Sequence, residues 1–161
     1  ELGDSLAYGA FAGVNYQIAK GVWVGGGVGI STQLEDSPIA VPLINIDWTI
    51  NDRLRLEVGG LSGTLTYTID PQWSIFAEGR YELRQYRLAD DAIVPEGVLS
   101  DASIPLGVGA RFSANDNISV SLSGGAVVWR EIEFFDDDEN SLSDDTTDIA
   151  GYVAASVKIA F

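Results

Sequence analysis

The sequence predicts an all-β fold, and within that class a transmembrane antiparallel up-and-down β-barrel of about eight to ten strands. Apolar residues alternate with polar or small residues along almost the whole chain, and helical spacing with capping residues is absent. Tight turns and longer acidic connections follow one another in turn. Several segments reach the roughly 9 to 11 residues that cross a bilayer at a tilt, above the about 5 to 6 usual in soluble sheets.

Composition narrows the class of protein. The 161 residues form one predicted domain, 1–161, because no linker-like stretch divides them, and no apolar run has the length of a membrane helix. The chain has no initiator methionine and no basic stretch before an apolar core, so we expect a mature or trimmed chain without its targeting segment. A net charge of −15 argues against a nucleic-acid partner.

The negative charge is concentrated in three segments. Residues 33–37, 89–102 and 136–148 hold two, four and seven acidic residues and no basic ones. We interpret them as solvated acidic loops on one side of the barrel. The last segment lacks the spaced order of an EF-hand calcium loop, although weak bridging of divalent cations by its carboxylates stays an alternative.

The first five segments can be read in chain order. Residues 6–18 and 22–31 alternate on either side of a tight turn at Lys20. Residues 44–50 and 54–58 flank the turn Asn51–Asp52–Arg53. Between Gly59 and Gly63 the apolar positions change from even to odd numbers, which requires a turn or a bulge. We predict a short hairpin there, leading into residues 65–69.

Four longer segments complete the chain. They span residues 73–88, 104–112, 118–133 and 151–161. Turns of Asp, Pro, Asn and Gln precede the first and separate the second from the third. The last alternates regularly and ends on Phe161, unlike the frayed polar ends usual in soluble proteins.

The composition of the two faces decides which one is inside. The face opposite the apolar one is mostly Gly, Ser and Thr with a few charges of both signs, whereas a water-facing sheet carries abundant Lys and Glu. A barrel with its apolar face toward lipid and a narrow polar lumen accounts for this. The predicted lumen network comprises Asp47, Arg55, Glu57, Glu78, Arg80, Glu82, Arg84, Arg111, Glu131, Glu133 and Lys158.

That network is nearly balanced, with six acids and five bases. Ions in a narrow lumen are tolerated when they are paired, so the balance favours a plugged interior over a selective pore. Aromatic side chains near the tight turns or the C-terminus predict one interfacial belt, made of Tyr16, Trp48, Tyr67, Trp73, Phe112 and Phe161.

No catalytic, metal or cofactor site is predicted. Without histidine or cysteine, the usual nucleophilic triads and transition-metal ligands are missing. Ser156 and Lys158 lie two apart on one face, but a serine beside a charge-paired lysine is the simpler interpretation. The carboxylates Glu78 and Glu82 are interleaved with Arg80 and Arg84, which favours an ion network over acid–base catalysis.

Two stretches resemble known proteins. The alternating end "GYVAASVKIAF" is similar to the C-terminal signature of bacterial outer-membrane barrels, in which the final aromatic residue, here Phe161, is an assembly signal. From "PLINIDWTINDRLRLEVGG" through "WSIFAEGRYELRQYRL" to its end, the chain resembles a family of uncharacterised Gram-negative outer-membrane β-barrel proteins. The resemblance implies location in the bacterial outer membrane, with short periplasmic turns and acidic external loops, but no activity.

The strand count has two alternatives. Nine segments with Phe161 on the periplasmic side place Glu1 outside, whereas bacterial barrels generally have an even count. Either a first strand precedes Glu1, giving ten, or the fourth and fifth segments are one bulged strand, giving eight; ten is favoured.

Three functions stay open. The first is a structural or interaction barrel whose partners are the lipid bilayer, lipopolysaccharide and the outer-membrane assembly machinery, with another membrane protein as a further candidate. The second is a narrow channel for ions or small molecules. The third is a soluble ligand-binding barrel.

Overall fold

The computed structural model describes residues 8–32, 39–88, 97–135 and 141–160. These residues form one antiparallel sheet, and the all-β prediction is confirmed. The strands are β1 (Gly9–Ala19), β2 (Val22–Ser31), β3 (Ile39–Thr49), β4 (Leu54–Gly59), β5 (Ser62–Thr68), β6 (Trp73–Arg80), β7 (Glu82–Arg87), β8 (Val98–Ser113), β9 (Ile118–Phe135), β10 (Ser141–Thr146) and β11 (Ala150–Ile159). The described part of the chain contains no helix long and apolar enough to cross a membrane.

Neighbouring strands in the sheet are neighbours in the chain. The order is β1-β2-β3-β4-β5-β6-β8-β9-β10, with β7 also beside β8 and β11 also beside β9. Since β6 and β7 pair with β8 in one continuous register, they form a single line interrupted at Tyr81. β10 and β11 likewise share one line along β9. The eleven strands therefore make nine lines, and the up-and-down order is confirmed.

The sheet is open. No pairing between described residues joins β1 to β11, which are its two edges. Closure into a barrel is thus a prediction that the fold leaves untested.

The hairpin predicted where the apolar positions change parity is present. β4 and β5 pair from Leu54 with Tyr67 to Gly59 with Ser62. Gly60, in the turn between them, has a φ of 61°, a left-handed conformation that glycine adopts without strain. Because these are two strands joined by a turn, the alternative of one bulged strand, and with it the eight-strand count, is wrong.

Two of the segments interpreted as acidic loops, 89–102 and 136–148, lie partly in strands. β8 begins at Val98, so Asp101 lies in a strand between β7 and β9. β10 runs through the last acidic segment and pairs with the end of β9, so that segment is not simply a solvated loop. The cause in both cases is strand pairing over a long ladder, which outweighs weak local β-propensity.

A β-bulge divides β9. Ile104 pairs with Trp129 and Pro105 with Val127, so one extra residue, Val128, is inserted in β9. Strand side chains alternate between the two faces of a sheet. The residues of β9 after Val128 therefore lie on the face opposite the one that unbroken alternation predicts.

Part of the sheet extends beyond the end of the β4–β5 hairpin. The carbonyl of Leu61, in the β4–β5 turn, accepts a hydrogen bond from the Tyr81 amide at 2.9 Å, so this hairpin ends level with Tyr81. β7, β10 and the adjoining ends of β8 and β9 continue past that level as a four-stranded extension. The extension contains most of the buried side chains of the described residues, namely Val98, Ser100 and Ala102.

Candidate functional site on the polar face of the sheet

One ion cluster spans β3 and β4. Asp47 pairs directly with Glu57, and Thr49 with Arg55, so the three charged side chains share a face. Arg55 donates from Nε and Nη2 to the two carboxylate oxygens of Asp47 at 2.9 and 2.7 Å. Its Nη2 also lies 3.3 Å from Glu57 Oε1. A two-pronged guanidinium–carboxylate pair with a second acid alongside fixes all three groups in one arrangement.

A second cluster lies along β6 and β7. Glu82 accepts hydrogen bonds from both flanking bases, Arg80 through Nε and Arg84 through Nη2, the latter at 2.9 Å. The sequence placed these three residues and Glu78 on one face, and the structure brings Arg80, Glu82 and Arg84 into contact. Glu78 lies one step further along the same face of β6, with no carboxylate-to-base contact below 4 Å among the described residues.

A third pair was missed by the sequence analysis. Arg130 donates from Nε and Nη2 to the carboxylate oxygens of Asp101, both at 2.8 Å. Arg84 pairs with Asp101 across β7 and β8, so this pair continues the second cluster on the same face. Arg130 faces this side because the bulge at Val128 reverses the alternation of β9.

The same bulge corrects the placement of two predicted lumen acids. Glu131 pairs with Ala102, which pairs with Leu83, and so it lies on the face of Leu83, opposite Arg84. Glu133, two residues further on, shares that face. Both acids therefore lie on the face of the extension opposite the ion clusters, together with Ala102 and Ser100 of β8.

Aromatic rings cover glycines on the polar face. A Cβ placed on Gly109 would lie 2.5 Å from Phe76 Cζ, and one on Gly107 would lie 2.3 Å from the Tyr152 hydroxyl oxygen. Phe76 is buried, and the guanidinium of Arg111 lies 5.3 Å from its ring centroid. The glycines predicted to be packing positions thus make room for side chains that fill the polar side of the sheet.

The remaining predicted bases, Arg111 and Lys158, lie near the tight turns. They line a cavity of about 660 Å³ between the β8–β9 turn and the end of β11. Neither has a carboxylate within 4 Å among the described residues. Within the described ranges, Lys158 thus has no partner for the ion pair that the sequence predicts. Ser156 contacts Ser121, with 2.7 Å between the two Oγ atoms.

Aromatic side chains mark both ends of the opposite face. Tyr16, Trp48, Tyr67 and Trp73 are exposed near the tight turns, and Trp73 contacts Phe112 with 5.0 Å between ring centroids. Phe161 lies outside the described residues. Arg53, in the β3–β4 turn, donates to the Tyr67 hydroxyl at 3.5 Å, and this hydrogen bond raises the pKa of Arg53 above its ordinary range. Tyr81 and Trp129 stack at the other end, 6.4 Å apart.

Comparison with known families places the whole sheet in one of them. Residues 3–160 match the model of a domain of unknown function, DUF6268. The chain belongs to DUF6268. Searches of curated proteins and of solved structures found no significant match.

In this DUF6268 chain the polar face is built for ion pairing and hydrogen bonding. The three ion clusters pair acids with arginines, and in the described ranges no group of three His, Cys, Asp or Glu side chains is arranged to hold a metal ion. The hydroxyls of Ser121 and Ser156 contact one another, and no base prepares either of them as a nucleophile in the described part. The DUF6268 sheet has one charged face, one apolar face and a four-stranded extension.

Proposed function

We propose that this chain is a transmembrane β-barrel of the bacterial outer membrane, with its apolar face toward lipid and its ion clusters facing a filled lumen. The observation that carries the proposal is the exposure of the apolar face. Val108, Leu122, Val153 and Val157 are 65, 60, 81 and 65 % exposed. A contiguous apolar surface of this kind is typical of a membrane or protein interface, and the ions on the other face rule out that face as a buried apolar core.

The height of the apolar band supports a bilayer as the covering medium. Trp73 and Tyr81 lie on one line of strand, eight residues apart, which is about 27 Å at ~3.4 Å per residue. At a strand tilt of about 40° this becomes about 21 Å, close to the ~25 Å apolar band of outer-membrane barrels. Each end of the band carries aromatic side chains, as membrane interfaces do.

Strand direction bears on closure. Nine lines leave β1 and β11 running in the same direction, because every antiparallel step reverses the chain. An antiparallel barrel therefore needs one more strand between them, which is why ten strands stays the prediction.

We assign the barrel a structural or interaction role. Paired ions, Phe76 and Tyr152 occupy the polar face, which favours a plugged lumen over a conduit. The extension formed by β7 to β10 continues past the level of Tyr81 and Trp129, and so projects beyond the proposed membrane. It is the part of the chain best placed to meet another membrane protein or lipopolysaccharide.

Site-directed spin labelling tests the proposal. The chain has no cysteine, so Val157→Cys and Ser156→Cys each introduce one labelling site on adjacent positions of β11. In lipid bilayers, the label at position 157 should collide frequently with oxygen, which concentrates in lipid, and rarely with a water-soluble nickel complex. The label at position 156 should show much lower oxygen access.

Position 156 is the matched control because it differs only in the face it occupies. Equal oxygen access at the two sites would contradict the assignment of faces. A chain that stays in solution without detergent and shows no lipid contact at position 157 would instead support the soluble ligand-binding barrel.

A further inference from the structure

The cavity near the tight turns has a charge opposite to that of the chain. The protein carries a net charge of −15, yet two of the side chains that line this cavity on the polar face are the bases Arg111 and Lys158. Of the described residues that line it, Asp116 is the acid, and it lies in the β8–β9 turn. Two cations that have no counter-ion among the described residues call for an anion from outside.

The register places both bases around a row of hydroxyls. Arg111 pairs with Ser121, and Ser121 pairs with Ser156. One step nearer the turn, Ser113 pairs with Ser119, and Ser119 with Lys158. Directly paired residues point to the same side, so β9 presents two serines between a base on β8 and a base on β11.

The donors of these groups are available. Arg111 contacts Phe76 through the face of its guanidinium, 5.3 Å from the ring centroid, and a face contact does not use the N–H groups at the guanidinium edge. No acid within the described ranges lies within 4 Å of either base. Asp47 and Glu57 contact Arg55, and Glu82 contacts Arg80 and Arg84. Ser121 and Ser156 already lie 2.7 Å apart, so their hydroxyls are ordered.

We propose that this cavity binds the phosphate group of a small molecule or of a lipid headgroup. Arginine, lysine and serine hydroxyls are the usual donors to phosphate oxygens, and a phosphate offers more acceptor oxygens than a carboxylate for donors that surround it. The volume of about 660 Å³ lies within the range of about 300 to 1,000 Å³ usual for small-molecule sites. The site does not depend on membrane insertion, because it is built on one face of the sheet.

Titration with inorganic phosphate tests the site. The full chain, in whichever phosphate-free buffer or sugar-headgroup detergent keeps it monodisperse, is titrated with phosphate by calorimetry. Saturable binding is expected. Arg111→Gln and Lys158→Gln should each weaken it by about tenfold or more, because each removes a charged hydrogen-bond donor. Lys20→Gln is the matched control, since it removes the same charge from a tight turn outside the cavity lining.

A second variant keeps the test decisive if a charge change disturbs folding. Ser121→Ala with Ser156→Ala removes both hydroxyls without changing charge, and should weaken binding several-fold. Absence of saturable binding, or an equal loss in Lys20→Gln, overturns the proposal. The source is then distinguished by displacement: glycerol 3-phosphate displaces the bound phosphate if the ligand is soluble, and phosphatidic acid in mixed micelles displaces it if the ligand is a headgroup.

Discussion

Arg130 and Asp101 form a two-pronged ion pair across β8 and β9, with both N–O distances at 2.8 Å. The pair lies in the four-stranded extension, beyond the level at which the β4–β5 hairpin ends. Asp101 is mostly buried, with 16 % of its side chain exposed, which strengthens the pair relative to a surface ion pair. It therefore links β8 and β9 through side chains in the part of the sheet that the β4–β5 hairpin does not reach.

Asp101→Asn should loosen the extension without unfolding the sheet. The amide keeps the shape of the side chain but loses the charge that Arg130 pairs with, at a cost of about 1 to 2 kcal/mol. Hydrogen exchange should therefore become faster in β7, in β8 before Ile104 and in β9 after Trp129. The melting temperature of the whole sheet should change little. Glu131→Gln, on the opposite face of β9, is the control and should leave exchange unchanged.

Two adjacent glycines of β2 should respond very differently to alanine. A Cβ on Gly27 would lie 2.4 Å from the Ala12 carbonyl oxygen and 2.8 Å from Gly13 Cα, whereas the nearest atom to a Cβ on Gly26 is Leu43 O at 3.9 Å. Because backbone atoms on a paired strand cannot move aside, Gly27→Ala should destabilise the fold by about 1 to 3 kcal/mol.

Gly26→Ala should change stability by less than about 0.5 kcal/mol, as is usual for substitutions away from packed features. Denaturant unfolding of both variants measures the difference. Equal midpoints would mean that β1 and β2 do not approach as closely as the register requires.

The filled polar face predicts a barrel that does not conduct. Reconstituted in a planar bilayer, the chain should give conductance near the baseline, because the Arg55–Asp47–Glu57 cluster and the rings of Phe76 and Tyr152 occupy the face assigned to the lumen. Stable, well-defined single-channel steps from a pure, folded preparation would favour the narrow channel.

Much of the fold could be predicted because the alternation of apolar and polar residues along a strand shows which face of the sheet each residue occupies. In β11, Val153 and Val157 alternate with Ser156 and Lys158, and the structure has the same division of exposed apolar and hydroxyl-lined sides. The change of parity between Gly59 and Gly63 likewise predicted the β4–β5 hairpin, because no unbroken strand changes face.

Alternation also explains what could not be predicted. Val127, Val128 and Trp129 are consecutive apolar residues, so no polar position marks which of them is the extra one at the bulge. Unbroken alternation therefore put Glu131 and Glu133 on the wrong face, and the ion pair between Arg130 and Asp101 was missed. One signal could have indicated the bulge. Unbroken alternation would place Arg130 on the apolar face, where an arginine facing lipid is costly.

The cavity near the tight turns is a second feature that the sequence alone could not predict. In the sequence, Arg111 and Lys158 look like members of a balanced charge network, but neither forms an ion pair among the described residues. Only the register shows that Arg55 takes Asp47 and Glu57, and that Arg111 and Lys158 are left with serine neighbours. Pairing partners on other strands depend on which strands are adjacent, which a single sequence does not state.

Lipid quenching of single tryptophans tests the central claim most directly. Trp23 and Trp73 are 45 and 47 % exposed, but Trp23 pairs with Asp47 on the charged face while Trp73 packs on Phe112 on the apolar face. In variants that keep one of them and carry phenylalanine at the other tryptophans, lipids brominated near the headgroup should quench Trp73 strongly and Trp23 weakly. Equal quenching of the two, or stronger quenching of Trp23, would contradict a barrel whose apolar face meets lipid.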